Sequence, residues 1–158
     1  MTSLLPRRRW PLLMIAVLIA AGAANPARAG GSDPKAVLDD LFGQMNSMCG
    51  GNGDGPAYDL DALAKKYFVP ALVKIIARDY EQPGALGFDI LIDGQDCKTS
   101  DLNLSVVGGG GNTSIGRATF KNFGEERVID LLMTNAGGDW MVTDVVYRHR
   151  PFSLRAGE

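Results

Sequence analysis

Apolar residues return along this chain in two rhythms. Between residues 34 and 80 they recur every third or fourth position, the period of a helix with one buried face. From residue 102 onward they tend to alternate with polar residues, the period of a half-buried strand. Asp33-Pro34 is a cap and first-turn pair, and Val37, Leu38, Leu41, Phe42, Met45 and Met48 follow at helical spacing, predicting a helix that ends near Cys49. The Gly-rich run 50–56 does not continue it. From Asp59 the helical period resumes with Leu60, Leu63 and Tyr67, Pro70 restarts or bends it, and Leu72, Val73, Ile75, Ile76 and Tyr80 carry it on. Two short helices or one broken helix fit this segment equally.

After Gln82-Pro83-Gly84 the character changes. Residues 88–96 read as an extended, mixed polar segment, and residues 102–107, 113–121, 127–134 and 140–148 carry strand signals. The links 108–112, 122–126 and 135–139 are short enough to make neighbouring strands antiparallel hairpins. In the last strand Trp140, Val142, Asp144 and Val146 alternate with Met141, Thr143, Val145 and Tyr147, which puts the first four on one face. Helices first and a meander afterwards predicts an α+β domain, its N-terminal helices packed on a curved four-stranded antiparallel sheet.

Ahead of this pattern lies a stretch of another kind. Arg7, Arg8 and Arg9 give a cationic start, residues 10–24 are an unbroken apolar run, and Ala27-Arg28-Ala29 offers small residues at the spacing of a cleavage site. Residues 1–29 are therefore expected to be a cleaved signal peptide, and residues 30–158 a single exported domain, periplasmic or secreted. The apolar run falls short of the ~20 residues a membrane span needs, and Asn25-Pro26 ends it. No membrane association is expected after the leader is removed, and the general export route fits the apolar run better than the twin-arginine route.

The leader holds four of the 16 basic residues and none of the 18 acidic ones, so the mature chain carries 12 against 18, a formal charge of −6. Such a chain repels nucleic acid, and no basic patch is visible to offset this. Cys49 and Cys97 both lie in the exported part, where an oxidising compartment favours a disulfide. Bridged, they would close a loop worth about 4 kcal/mol on the chain-entropy model. Two unpaired thiols or a metal or redox role are the alternatives. A single His leaves no Cys/His zinc set, and the spacing is unlike Cys-x-x-Cys.

Several short motifs are familiar. Tyr67-Phe68-x-Pro70-Ala71-Leu72, Phe88-Asp89-x-x-Ile92-x-Gly94-Gln95-Asp96, Thr119-Phe120-x-Asn122-Phe123-Gly124, Asp139-Trp140-x-Val142-x-Asp144-Val145 and the tail Ser153-Leu154-Arg155 together span most of the mature chain. With them the chain resembles the bacterial domain of unknown function 3828 family, grouped with the nuclear transport factor 2-like superfamily. The resemblance implies a cone of curved antiparallel sheet closed by helices around a pocket, in exported helper or binding proteins. It implies no catalytic set.

Candidate chemistry is sparse. Asp89, Asp93 and Asp96 crowd one segment that could bind calcium or supply a base, yet they miss the calcium-loop spacing, and turn capping is the plainer reading. Asn52 and Asp54 hint at a metal loop, but Pro56 and Ala57 occupy positions such a loop needs for other residues. Gly108 to Gly111 lacks the Lys-Ser/Thr of a phosphate cradle. His149 stands between Arg148 and Arg150 and reads as an exposed strand-end residue. Asp144 on an apolar sheet face with Trp140 would suit a pocket base, with Tyr58, Tyr67, Tyr80 or Tyr147 as partner and nothing to select among them. The ligand-pocket candidates are thus Tyr67, Asp89, Asp96, Trp140 and Asp144, with no catalytic set, no metal site and no cofactor.

The leading expectation is an exported non-enzymatic binding domain for a small apolar molecule or a protein surface. The alternative is a periplasmic inhibitor or immunity protein against a cell-wall-directed toxin, whose acidic charge would speed docking on a basic enzyme. An Asp-based isomerase or dehydratase ranks third. A ligand binder calls for an enclosed apolar cavity of at least about 300 Å³, an inhibitor for a filled interior and an exposed patch, and an enzyme for Asp144 facing a cavity.

Overall fold

The computed structural model describes residues 30–51, 53, 55–82 and 85–157. The expected leader, and Asn52 and Asp54 of the hinted metal loop, lie outside them. Three helices come first. Helix α1, Pro34–Cys49, starts where the Asp33 carboxylate accepts the Ala36 N–H at 2.8 Å, and buries Val37, Leu38, Leu41, Phe42, Met45 and Cys49 along one stripe. Helix α2, Leu60–Tyr67, is capped in the same way by Asp59, which accepts from Ala62 N at 2.9 Å. Helix α3, Pro70–Glu81, begins on its proline. The break between α2 and α3 is a true one: the residue before a proline is pushed out of the helical region, and Val69 is extended (φ −63°, ψ 151°). Its freed N–H donates to Val142 O at 3.0 Å, which fixes the helix pair to the sheet.

The sheet is an open antiparallel meander in the order β1-β2-β3-β4-β5, with β1 Thr99–Gly110, β2 Thr113–Asn122, β3 Glu125–Ala136, β4 Asp139–Tyr147 and β5 Phe152–Ser153. It has five strands rather than the expected four, because the chain turns at 148–151 and pairs Phe152 and Ser153 with Tyr147 and Val146. The helices cover one face. Position 116 shows how closely: a Cβ there would stand 2.8 Å from both Leu38 Cδ1 and Met133 Cε, so only glycine lets α1 lie on β2.

Two further expectations are corrected. Residues 88–96 are a tight turn rather than an extended segment: Asp89 N donates to Gly94 O at 2.9 Å and Asp93 N to Asp89 O at 2.8 Å. This lets the consecutive residues Ile90, Leu91 and Ile92 all enter the core, which a half-exposed strand could not do. The second correction concerns β4. Leu132 pairs with Asp144 but Met133 with Val142, so Thr143 is an extra residue, a β-bulge, and its hydroxyl donates to Leu132 O at 3.1 Å. The bulge flips the alternation. Trp140 and Val142 share the helix-covered face with Val145 and Tyr147, and Asp144 and Val146 turn to the other face.

Cys49 and Cys97 form a disulfide with Cα atoms 5.2 Å apart, tying the end of α1 to the chain just before β1. Among the described residues no helix is long and apolar enough to cross a membrane.

Candidate functional site

The ends of α2 and α3 and the turn at 89–94 border a half-open hollow of about 150 Å³. Its walls are Leu60 from the first turn of α2, Ile76, Asp79 and Tyr80 from the last turns of α3, and Leu86, Phe88, Asp89 and Ile90 from the returning chain. Local chemistry explains the shape. The Asp79 carboxylate accepts the Leu86 N–H at 2.7 Å and so folds the chain back across α3. Asp89 then anchors the turn, one carboxylate oxygen accepting the N–H of Leu91 at 2.8 Å and of Ile92 at 3.3 Å.

The other oxygen of Asp89 accepts the Tyr58 hydroxyl at 2.5 Å. Tyr58 is placed for this by its position next to Asp59, whose cap fixes where α2 starts. Burial is the largest influence on Asp89 and pushes its pKa above the ordinary value of 3.8, while the Tyr58 hydroxyl and the two backbone N–H groups pull it partly back. Burial likewise raises the Tyr58 and Tyr80 hydroxyls, and the Asp89 charge adds to both. No cation stands against Asp89 among the described residues.

On the far side of Phe88 a cation is committed to other partners. The Arg150 guanidinium stacks over the rings of Phe88, Tyr147 and Phe152 at 4.5, 4.7 and 4.7 Å. It donates to Asp93, which also meets His149. Phe88 therefore has the hollow on one side and a caged arginine on the other. His149 is exposed just past the end of β4, as expected, and meets an acid partner 56 residues away that sequence adjacency does not reveal.

On the helix-free face of the sheet a second aspartate is treated differently. Asp130 is 0% exposed and accepts a fork from Arg117 Nε and Nη2 at 2.7 and 2.9 Å, and a third bond from Arg148 Nε at 2.6 Å. Burial would raise its pKa, but the two arginines outweigh this and hold it below the ordinary range.

The five pocket candidates from the sequence do not converge. Asp89 alone lines the hollow. Tyr67 donates to Asp40 of α1, and that bond together with Lys66 holds the Asp40 pKa down to about 2, the lysine contributing most. Asp96 is exposed, its backbone carbonyl accepting from Asn122 Nδ2 at 3.1 Å. Trp140 packs against the core and pairs its backbone with Gly31. Asp144, on the opposite face, accepts the N–H groups of Val145 and Arg155 at 2.8 and 2.9 Å. Sequence reasoning missed Tyr58 as the partner and the Arg117–Asp130–Arg148 cluster. A two-residue turn at Phe123-Gly124 was the available signal for the latter, since it sets Arg117 directly opposite Asp130.

A third feature stands on a hairpin of the sheet. Phe123, at the tip of the β2–β3 hairpin, is 61% exposed and has a left-handed backbone (φ 49°), a conformation costing roughly 1 kcal/mol for a residue with a side chain. Its N–H donates to Lys98 O at 3.0 Å, and the Asn122 side chain accepts from Lys98 N at 2.8 Å. Open hollows of about 400 and 320 Å³ adjoin it, both bordered by Gly51 and Lys98. No family model, curated protein or solved structure matches this chain.

Proposed function

We propose that residues 30–158 act as an exported, non-enzymatic binding domain that takes a small, largely apolar ligand in the hollow between α2, α3 and the 89–94 turn. The carrying observation is Asp89 in the wall of that hollow, held by the Tyr58 hydroxyl, a polar handle among Leu60, Ile76, Leu86, Phe88 and Ile90. At about 150 Å³ and half open, the hollow falls short of the enclosed cavity of at least ~300 Å³ expected of a ligand binder, so the proposal is confined to a ligand a few carbons long. Both Asp89 oxygens already accept bonds, which favours holding a ligand over abstracting a proton from it. The proposal includes cleavage of the leader, a periplasmic or secreted location, and the nuclear transport factor 2-like cone as the finer description of the fold. The test is a titration of the mature, disulfide-bonded chain with short-chain alcohols and amines, followed by amide NMR. Saturable shifts at Leu86 and Ile90 are expected; amides there that no probe moves would refute the pocket.

A second reading, an inhibitor that docks on a basic enzyme, is favoured by Phe123. An exposed aromatic on a strained tip, braced by Asn122 and the disulfide, has the form of a preorganised anchor. The isomerase reading through Asp144 loses its basis, because the bulge at Thr143 turns that carboxylate away from Trp140 and the helices.

A further inference from the structure

We propose that the ligand of the Asp89 hollow is a small organic cation, a primary alkylammonium ion with a short apolar chain. This rests on the pocket reading above and names its ligand class. The first argument is charge accounting. Asp130 meets Arg117 and Arg148, Asp93 meets Arg127, His149 and Arg150, and Asp40 meets Lys66, whereas Asp89 meets a hydroxyl and two amides. A carboxylate partly withdrawn from water, as Asp89 is, without a matching cation is held at a cost that a bound cation relieves.

The second argument is the wall. The hollow carries two carboxylates, Asp79 and Asp89, the rings of Tyr80 and Phe88, and aliphatic side chains, with no Lys, Arg or His. An anion would meet like charge, and a neutral molecule would leave Asp89 unmatched. Aromatic faces beside a carboxylate are the surroundings an ammonium group prefers. The third argument is size and coordination. Among the described residues no group of three or more metal-ligating side chains occurs, and hard metal ions ask for about six oxygens, so the charge is better met by a hydrogen-bonding ammonium than by a bare ion. At about 150 Å³ the hollow suits a chain of a few carbons.

The test uses the mature chain with its disulfide intact, titrated at pH 7 with n-butylammonium, n-butanol and n-butyrate, by calorimetry and amide NMR. Butylammonium is expected to bind at least ten times more tightly than butanol, to shift Leu86, Ile90 and Leu91, and to leave butyrate without detectable binding. Asp89→Asn keeps an oxygen for the Leu91 and Ile92 N–H groups, and its affinity for butylammonium should fall tenfold or more. Tyr80→Ala, at a residue 59% exposed, gives a second variant that leaves the core untouched and should weaken binding about threefold. Equal binding of butanol and butylammonium, or unchanged affinity in Asp89→Asn, would overturn the cation inference while leaving the pocket in place. Failure of both probes to bind would remove the pocket as well.

Discussion

Asp130 is wholly withdrawn from water and Asp89 partly, and the chain treats the two aspartates in opposite ways. Asp130 sits between strands under two arginines, its three hydrogen bonds all from cations, and its pKa is lowered. Asp89 sits at the end of the helical layer with a tyrosine hydroxyl and two amides, and its pKa is raised. The first is balanced within the molecule and serves to join β2, β3 and the end of β4. The second satisfies its hydrogen bonds without matching its charge, so its balance can be completed from outside. Asp130 is fully buried and Asp89 partly so; what separates them is whether the chain supplies the counter-charge, and on the proposal above that difference is what makes one a strut and the other a binding group.

The largest perturbation is a control on this contrast. Replacing both Cys49 and Cys97 with Ala opens a loop of 48 residues and should cost about 4 kcal/mol in urea denaturation. Neither aspartate depends on that bridge, so the opposite pH responses described below should survive it. Next in size, Arg117→Met combined with Arg148→Met leaves Asp130 without a cation and should cost about 3 kcal/mol at pH 7. That is the low end of the range for a broken buried pair, because both arginines are themselves partly exposed, at 36% and 49%, and water lies beyond them. A loss below about 0.5 kcal/mol would make Asp130 as unbalanced as Asp89 and dissolve the comparison.

Smaller still is Asp89→Asn, which keeps the turn-capping oxygen and removes an unmatched charge. Stability at pH 7 should change by less than about 1 kcal/mol, in the stabilising direction if at all. The pH dependence carries the sign of each case. The lowered pKa of Asp130 gives stability that is complete above 3.8 and is lost as pH falls below it towards the folded-state value. The raised pKa of Asp89 gives the reverse: its cost is absent below 3.8 and grows as pH rises from there to the folded-state value. Denaturation from pH 2.5 to 7 should show Asp130→Asn removing the first effect and Asp89→Asn the second.

Much of the scaffold was legible in the order of the residues. The cap at Asp33, the return of the helical period after Asp59, the apolar stripe of α1 and the hairpin turns are local features, set by neighbours a few positions away. The bulge at Thr143 was not legible, since Trp140 to Tyr147 alternates without a flaw and only pairing with Leu132 and Met133 reveals the extra residue. The tight turn at 89–94 was hidden for a similar reason: Ile90, Leu91 and Ile92 are all buried, a pattern that tells strand from turn only once the core around them is known. Asp89 was visible as a carboxylate in a crowded segment, but its partner lies 31 residues away among four tyrosines that composition cannot rank. Nor could the sequence show that Asp93 takes His149 and Arg150 while Asp89 takes a hydroxyl and two amides.

The most direct measurement is a carbon-13 titration of the Asp89 side-chain carboxyl in the free chain and with saturating n-butylammonium. A midpoint above 3.8 in the free chain, moving down when the ammonium binds, is the expected result. A midpoint at or below 3.8 without ligand would mean that the chain already supplies the missing charge, and would contradict the reading of Asp89 as an unmatched carboxylate.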